Sequence, residues 1–326
     1  MIIQDTTRKV TGLENFDTNK FGIKAKNTGI IMSILSQKLY SDPILAPIRE
    51  NLANAVDSHV VAGKADAPIL ITLPTPIQAE LIIRDFGGGM SKEFLDEDYV
   101  SLGESTKRGS NDTIGAYGLG RVSNFAYVDA FGVTSYVDGM AHSYTMQLDS
   151  AGAAVSIHIS SLPSSEPTGV EVRIPVAIND VGTFRKKTLD FCRYLKVTPK
   201  FINENGEYTA LGVSVDQPTW FLEKADEKNS YRPYKNNNAS AVIGGVRYDL
   251  AYSKMGIDND DVYSALECGG LYLKFAIGEV DIAPSREELS MTRKTIDAVV
   301  KAVEKVKADV NDIILTKIDT FPTIID

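Results

Sequence analysis

Apolar residues recur at helical spacing in four long stretches of the chain, with polar residues on the opposite side of each. Such periodicity predicts amphipathic helices that bury one face. Helices are predicted over residues 27–40, 43–61, 178–195 and 290–315. Asp42 and Pro43 form a start signal for the second of these helices, and Gly63 follows its end.

Shorter apolar runs, bounded by glycine, proline, asparagine or aspartate, predict strands. In the earlier part of the chain these runs cover residues 69–73, 79–85, 130–136, 143–148, 155–159 and 169–176. Their turn-like boundaries are typical of an antiparallel sheet. Weaker strand character continues over residues 201–208, 213–216, 242–252 and 271–277.

The length of the chain and a change of pattern near residues 196–201 predict two domains. A chain of 326 residues is too long for one small core. We expect the first domain over residues 1–197 and a smaller second domain over residues 198–326. With 43% hydrophobic and 24% charged residues, the composition is that of an ordinary globular protein.

Charge and cysteine content argue against several classes of protein. The formal net charge of −9 opposes a general attraction to nucleic acid, so no specific nucleic-acid binding is expected. The longest nearly apolar run, residues 29–35, is too short to span a bilayer, and no secretory signal opens the chain. Two cysteines and three histidines without metal-ligand spacing exclude a disulfide scaffold and a zinc finger. They favour a reducing, cytosolic setting.

The second predicted helix carries polar residues within one narrow arc. Glu50, Asn54 and Asp57 lie at i, i+4 and i+7, roughly opposite the apolar side of the helix. A carboxylate in a pocket can accept a proton from an attacking water, and an amide one turn later can ligate Mg²⁺. The alternative is an ordinary solvated polar face.

A glycine-rich turn follows the predicted strand that ends at Asp85. The turn contains Gly87, Gly88, Gly89 and Met90. An aspartate at a strand end can accept a hydrogen bond from an exocyclic amine, and the glycines let the backbone approach a flat ring. The alternative is a simple turn capped by the aspartate.

Three further glycines, Gly115, Gly118 and Gly120, open a short predicted helical run. Backbone amides at a helix N-terminus suit phosphates, although such glycines also mark tight turns. Their spacing differs from the G-x-G-x-x-G fingerprint, and the chain has no G-x-x-x-x-G-K-[ST] loop. The polar residues 101–112 before them lack apolar periodicity and predict a loop.

The fourth motif is Thr168, directly before a predicted strand, where a strand-entry turn is the alternative reading. Together and in this order, the four motifs resemble those of the GHKL superfamily. Its members include gyrase B subunits, ATP-driven heat-shock chaperones, histidine kinases and MutL proteins. The resemblance implies an α+β fold, with a Bergerat-fold α/β sandwich whose mixed, mostly antiparallel sheet is covered by helices. It also implies that the second domain is a transducer-like α/β domain.

The same resemblance implies a role for each motif residue in binding ATP and Mg²⁺. Glu50 would be the general base and Asn54 the Mg²⁺ ligand, with Asp57 supporting the site. Asp85 would bind the adenine amine, assisted through water by Thr168. The remaining contacts would be Gly87, Gly89 and Met90 around the base, and Ser105, Lys107, Gly115, Gly118 and Gly120 around the triphosphate. Residues 102–114 correspond to the ATP lid of the family.

A loop in the second domain supplies one more candidate, Arg286. In the heat-shock chaperones a Ser-Arg-Glu loop at a similar place reaches the γ-phosphate, and the resemblance implies this role for Arg286. A guanidinium is always charged and binds phosphate oxygens bidentately. The alternative is a helix capping box from Ser285 to Glu288, with Arg286 exposed to solvent.

A closer resemblance is to the N-terminal part of the rIIA proteins of T-even bacteriophages. It covers most of the chain in order, and residues 281–289 are its most specific segment. One departure is Ser58, because the family usually has alanine after the residue equivalent to Asp57. Another is length, since rIIA proteins carry a long C-terminal region that these residues do not include. The resemblance implies a cytoplasmic protein of a phage-infected bacterium, peripheral to the inner membrane, with a phage or host protein partner and ATP-dependent homodimers.

The leading interpretation is a GHKL ATPase that hydrolyses ATP slowly and acts as a conformational switch. The alternative is a nucleotide-gated interaction module with little or no turnover. A histidine kinase is disfavoured because no phosphoacceptor helix precedes the site and His59 lies on the core face of its helix. A topoisomerase is disfavoured because the chain is acidic and has no nucleolytic domain.

Overall fold

The fold is described by a computed structural model over residues 28–99, 120–195, 197–225 and 238–319. The chain divides into two compact units, Met1–Tyr208 and Thr209–Asp326. Each unit combines a β-sheet with helices. Within the described ranges, no helix is both long and apolar enough to cross a bilayer.

The described residues of the first unit form three α-helices and several short helical turns. The α-helices are α1 (Thr28–Ser33), α2 (Leu45–Val61) and α3 (Val181–Cys192). A π-helical turn, Ile34–Lys38, continues α1, and another covers Phe94–Asp98, while 3₁₀ turns cover Gly120–Ala126 and Ile178–Asp180. Helix α2 begins at Leu45, two residues after the predicted start at residue 43. Asp42 Oδ1 marks this start by accepting hydrogen bonds from the backbone N–H groups of Ile44 (3.2 Å) and Leu45 (2.9 Å).

Seven strands form the sheet of the first unit. They are β1 (Ile69–Thr72), β2 (Glu80–Arg84), β3 (Ala130–Val137), β4 (Met140–Leu148), β5 (Ala154–Pro163), β6 (Gly169–Pro175) and β7 (Pro199–Ile202). Their spatial order is β5-β4-β3-β6-β2-β1-β7. All pairs are antiparallel except β1 with β7, so the predicted mixed and mostly antiparallel sheet is confirmed.

Strand β7 determines where the first unit ends. It pairs in parallel with β1, with Ile69 opposite Pro199 and Thr72 opposite Ile202. These pairs join residues beyond 197 to the first sheet, and the compact unit extends to Tyr208. The boundary expected at residue 197 lies just before β7. The pairing of β7 with the distant strand β1 cannot be predicted from a local sequence pattern.

Two clusters of buried side chains form the core around this sheet. One joins α2, α3 and strands β1, β2 and β6 through residues that include Ile48, Leu52, Ile71, Ile83 and Phe184. The other lies toward β3 and β4 and includes Met32, Leu95, Phe125, Phe131 and Tyr144. Helix α2 therefore uses its apolar side to pack on the sheet, which fixes the direction of its polar side.

The second unit has a five-stranded sheet of order β11-β10-β12-β9-β8. Its elements are β8 (Val213–Asp216), β9 (Trp220–Glu223), β10 (Ser240–Ile243), β11 (Val246–Asp249), α4 (Asp260–Leu266), β12 (Leu271–Phe275) and α5 (Arg293–Asp319). Only β10 and β12 pair in parallel among these strands. The run 242–252, predicted as one strand, contains a hairpin turn, because Gly244 and Gly245 adopt φ angles of 60° and 89°.

Candidate active site

The polar arc of α2 is buried and is not a solvated face. Glu50 is 2% exposed and Asp57 1% exposed, and Asn54 between them is half-buried. Carboxylates are costly to remove from water unless they are paired or hydrogen-bonded, so the burial of Glu50 and Asp57 shows that this helix face packs inside the protein. The alternative of an ordinary surface helix is therefore wrong for this face.

Gly120, the last of the three glycines predicted to bind phosphate, lies against this arc. A Cβ at position 120 would overlap Oε2 of Glu50 and lie 3.8 Å from Nδ2 of Asn54. Only a glycine lets the backbone come this close to the carboxylate. The structure thus brings together Glu50, Asn54 and the last glycine of the predicted phosphate-binding run.

A buried amide pair holds the same two elements together. Asn51 Nδ2 donates to Asn124 Oδ1 over 2.7 Å and to the carbonyl oxygen of Pro47, also over 2.7 Å. Asn51 and Asn124 are 9% and 1% exposed. Since buried polar groups are costly unless hydrogen-bonded, this pair fixes the 3₁₀ turn Gly120–Ala126 against α2.

Four of the predicted phosphate contacts lie outside the described residues. They are Ser105, Lys107, Gly115 and Gly118, together with the predicted lid over residues 102–114. Their roles stay predictions.

Asp85 directly follows β2 and is 6% exposed. Its Oδ1 accepts a hydrogen bond from Ser58 Oγ on α2 (3.2 Å) and one from the backbone N–H of Gly87 (2.9 Å). Among the described residues, none donates a hydrogen bond to Oδ2. Burial raises the pKa of Asp85, and the two donors partly oppose this by stabilising the charged form. Both donors that the described residues supply to this carboxylate therefore act on the same oxygen, Oδ1.

The glycine-rich turn after Asp85 is shaped by close approaches on both sides. A Cβ at Gly87 would overlap Ser58 Oγ, and one at Gly89, where φ is 73°, would lie 2.6 Å from the carbonyl oxygen of Tyr136. The turn is attached to β3 because Ser135 Oγ accepts from the N–H of Met90 and donates to its carbonyl oxygen, both over 2.7 Å. The capped turn is therefore confirmed, and its role in lining a nucleotide pocket stays a prediction.

His59 and Lys64 support this turn, and the sequence alone did not identify them as part of the site. His59 is fully buried, and its Nε2 accepts from the N–H of Phe86 (2.7 Å). Its Nδ1 lies 3.1 Å from the carbonyl oxygen of Ala67, so the neutral ring carries its proton on Nδ1 and donates it there. Burial lowers the pKa of His59, which favours this neutral form. Lys64 Nζ donates to the carbonyl oxygen of Phe86 over 2.8 Å.

Thr168 lies beside the same turn. Lys64 Nζ is 3.4 Å from Thr168 Oγ1. The next residue, Gly169, approaches so closely that a Cβ there would overlap the carbonyl oxygen of Asp85. The N–H of Asp85 donates to the carbonyl oxygen of Val170 over 2.9 Å. The second and fourth motifs are therefore adjacent in the sheet.

Arg84 is a further buried group behind the site and was not predicted. Its guanidinium donates to the carbonyl oxygens of Asp85 and Pro167. It also lies 4.3 Å from the ring centroid of Tyr136 and 4.7 Å from that of Phe86. Arg84 thereby links the end of β2 to the loop that carries Thr168.

Helix α2 connects the two ends of the site. Glu50, Asn54 and Ser58 follow one another at intervals of four residues, and the first and last are separated by about 12 Å along the helix axis. Gly120 contacts the Glu50 end and Asp85 contacts the Ser58 end. At one end the Glu50 carboxylate lies beside the backbone of Gly120. At the other end the Asp85 carboxylate is hydrogen-bonded to Ser58.

Arg286 belongs to the second unit and has an unusual backbone conformation. Its φ is 56°, in the left-handed region, and its side chain is 6% exposed. It lies in a tight loop closed by the bridge between Ile282 and Leu289, where its N–H donates to the carbonyl oxygen of Ala283 over 2.8 Å. Non-glycine residues in this region are often found at functional sites.

The capping-box alternative for this loop is wrong. Helix α5 begins at Arg293, where Thr292 Oγ1 accepts from the N–H of Thr295 (3.3 Å). Ser285 and Glu288 lie before that helix, inside the closed loop, and Arg286 is not exposed to solvent.

The donor set on α2 fits a Mg²⁺ ion that arrives with a phosphate ligand. Mg²⁺ typically keeps several waters and takes one or two protein ligands plus substrate phosphates. The half-buried Asn54 amide beside Glu50 can supply one oxygen. In the part of the chain that the structure describes, no group of three or more histidine, cysteine or acidic side chains could hold a metal by itself.

Part of the chain matches a known protein family. Residues 46–183 match the family model described as "Histidine kinase-, DNA gyrase B-, and HSP90-like ATPase". This range contains all the described candidate residues of the first unit. The mixed sheet and its helices fit the GHKL ATPase fold, as predicted.

The chain is also similar to several bacterial proteins named chaperone protein HtpG. It is 28% identical to that of Rickettsia prowazekii (strain Madrid E) over 147 residues, which is 38% of this chain and 23% of the relative. It is 29% identical to that of Methylorubrum extorquens (strain PA1) over 167 residues, or 43% and 26% of the two chains. For Rickettsia canadensis (strain McKiel) the identity is 26% over 204 residues, or 55% and 32%. The similarity thus spans less than a third of the length of each of these relatives.

Proposed function

We propose that this chain binds ATP with Mg²⁺ and hydrolyses it slowly, as a nucleotide-driven conformational switch. The observation that carries the proposal is the polar side of α2, which presents Glu50 and Asn54 to Gly120 and presents Ser58 to Asp85. A nucleotide can lie along this helix with its phosphates at one end and its base at the other.

At the base end, Asp85 Oδ2 would accept a hydrogen bond from the exocyclic amine of adenine. Gly87, Gly89 and Met90 would line the ring, because their turn is fixed against α2 and β3. Thr168 is linked to this turn through Lys64, whose Nζ contacts both Thr168 Oγ1 and the carbonyl oxygen of Phe86. From this position Thr168 would support the base through water. These residues recognise the nucleobase and do not take part in the chemistry.

At the phosphate end, Asn54 would hold Mg²⁺, which neutralises charge on the phosphates when it is bound. Gly120 would contribute backbone to the triphosphate, together with Ser105, Lys107, Gly115 and Gly118. The buried Glu50 carboxylate, held beside Gly120, would accept a proton from the attacking water. Asp57 would orient the site from one turn further along α2.

Arg286 would stabilise charge on the transferring phosphoryl group. A guanidinium at this position can bind phosphate oxygens bidentately, and its left-handed backbone conformation indicates a constrained, functional loop. The second unit, residues 209–326, would then act as a transducer that responds to the γ-phosphate.

The biological setting is proposed from the rIIA resemblance. A phage rIIA-like protein would act in the cytoplasm of an infected bacterium, at the inner membrane as a peripheral protein, and would form ATP-dependent homodimers with a phage or host protein as partner. The segment Asp281–Leu289 supports this proposal most specifically.

Mutation of Glu50 tests the proposed chemistry. We expect Glu50→Ala to keep Mg·ATP binding in calorimetry while hydrolysis falls by about 10²- to 10⁴-fold, since the general base is lost. Glu80→Gln, which changes a partly exposed carboxylate on β2, is the matched control and should hydrolyse at the wild-type rate. Wild-type turnover in Glu50→Ala would overturn the assignment of the base. ATP binding without turnover in the wild type, measured in single-turnover assays, would support the nucleotide-gated interaction module instead.

A further inference from the structure

We propose that Ser58 is a positioning residue for nucleobase recognition: its hydroxyl holds the Asp85 carboxylate so that only Oδ2 faces the amine of the ligand. The inference deepens the proposed ATP site and rests on it. It assigns a role to a residue that departs from the alanine usual in the resembling family.

The first support is the hydrogen-bond arrangement around Asp85. Oδ1 accepts hydrogen bonds from Ser58 Oγ (3.2 Å) and from the backbone N–H of Gly87 (2.9 Å). A carboxylate oxygen has about two lone-pair acceptor sites, so two donors satisfy it. Within the described residues, Oδ2 therefore remains the single acceptor that a ligand can use.

The second support is the packing of Ser58 against Gly87. A Cβ at position 87 would overlap Ser58 Oγ and lie 2.8 Å from both the Cβ and the carbonyl oxygen of Ser58. Gly87 does not adopt a left-handed φ, so its backbone conformation does not require glycine. The missing side chain instead makes room for α2 and its hydroxyl, which places the hydroxyl at the carboxylate.

The third support is that the other charged groups around Asp85 act on its backbone or its neighbours. Arg84 donates to the carbonyl oxygen of Asp85, and Lys64 donates to that of Phe86. His59 is neutral in its hydrogen-bonded form and accepts from the N–H of Phe86. Among the described side chains, Ser58 is thus the one that donates directly to the carboxylate.

Two consequences follow for ligand binding. Burial raises the pKa of Asp85, and the Ser58 hydroxyl opposes that rise, so loss of the hydroxyl favours the protonated acid. A protonated or rotated carboxyl group can donate to a 6-oxo group, whereas the ionised and fixed group accepts only from a 6-amino group. Ser58 should therefore raise the preference for ATP over inosine triphosphate.

The test uses calorimetric dissociation constants for Mg·ATP and Mg·ITP with the full chain between pH 5.5 and 8.5. For Ser58→Ala we expect ATP to bind about tenfold more weakly, as for the loss of one hydrogen bond to a charged group. We also expect a smaller ATP-to-ITP ratio and an acid limb of ATP binding displaced to higher pH. Ser58→Cys, which keeps the size but donates weakly, should behave like Ser58→Ala, and Ser58→Thr should recover the wild-type profile.

A matched control is Ser143→Ala, which removes a hydroxyl paired with Thr134 Oγ1 on the neighbouring strand. It should leave both dissociation constants and their pH profile unchanged. If the wild type does not bind ATP, the proposed function itself fails. If the wild type binds ATP and both Ser58→Ala and Ser58→Cys keep its affinity, its ATP-to-ITP ratio and its pH profile, the positioning role is overturned while the ATP site stands.

Discussion

Gly120 lies directly against the carboxylate of Glu50, with no space between them for a side chain. The contact joins the end of the glycine-rich stretch to the proposed general base. It makes the position of Glu50 depend on a residue that carries no functional group.

The first prediction concerns this contact. We expect Gly120→Ala to lower ATP hydrolysis by about tenfold or more, because the new methyl group displaces the Glu50 carboxylate; overpacking of this kind costs about 1–3 kcal/mol. Gly182→Ala is the matched control, since a Cβ on that residue of α3 meets nothing within 4 Å. Steady-state phosphate release measures both. Equal rates for the two variants would contradict the assigned geometry.

The second prediction separates base recognition from chemistry. In Asp85→Asn, the side-chain oxygen can still accept from Ser58 and Gly87, but the amide then presents N–H groups to the amine of the ligand. The N–H groups of the new amide and of the adenine amine are both donors and cannot hydrogen-bond to each other, so ATP affinity should fall by at least tenfold. Calorimetry with Mg·ATP measures the loss. The control is Asp66→Asn, at an exposed position after α2, which should bind Mg·ATP with wild-type affinity. Unchanged ATP affinity in Asp85→Asn would show that Asp85 does not bind the adenine amine.

The third prediction follows from the buried ring of His59. Burial lowers the pKa of His59 below its ordinary value of 6.5. Between these two pKa values His59 is protonated in the unfolded chain and neutral in the folded chain. The contribution of His59 to the free energy of unfolding is thus complete above pH 6.5 and is lost as the pH falls through the lowered pKa.

Urea unfolding of the wild type and of His59→Gln, measured from pH 8 to pH 5, checks this effect. The variant keeps an acceptor for the N–H of Phe86 and does not titrate in this range, so the difference between the two proteins should shrink as the pH falls. A difference that stays constant with pH would show that His59 does not titrate as described.

The fourth prediction concerns Arg286. Glycine accommodates a φ of 56°, so Arg286→Gly removes the guanidinium while leaving the loop conformation accessible. We expect hydrolysis to fall by about 10²-fold or more with ATP binding largely kept, as for other arginines that stabilise a transferring phosphoryl group. Arg293→Ala, which changes a 92% exposed arginine of the same unit, serves as the control. Full activity in Arg286→Gly would remove Arg286 from the mechanism.

Local pattern predicted the elements whose signal repeats along the chain. Helix α2 was predicted because its apolar residues recur at helical period and Asp42 marks its start. Strands β3 to β6 were predicted because turn residues bound each of them. The turn at Gly244 and Gly245 was missed because its flanking residues continue the apolar run, although a glycine pair is a hairpin signal.

The site could be predicted only in part, for a physical reason. Glu50 and Asn54 were predicted because a carboxylate and an amide lie four residues apart on one predicted helix. Asp85 was predicted because it ends a strand directly before a glycine-rich turn. The contacts of Ser58 and Lys64 join residues far apart in sequence and depend on how α2 crosses the sheet. No local pattern carries that information, so these residues became visible only in the fold.

The parallel pairing of β7 with β1 has a consequence for synthesis on the ribosome. Ile69 emerges long before Pro199, its partner, so the β1 edge stays open while most of the first unit is already made. Exposed strand edges invite pairing with other chains. A nascent chain, or a fragment cut at residue 197, should therefore be the form most prone to aggregate. Fragments ending at residue 208 should stay monomeric under the same conditions, since they carry the strand that covers this edge.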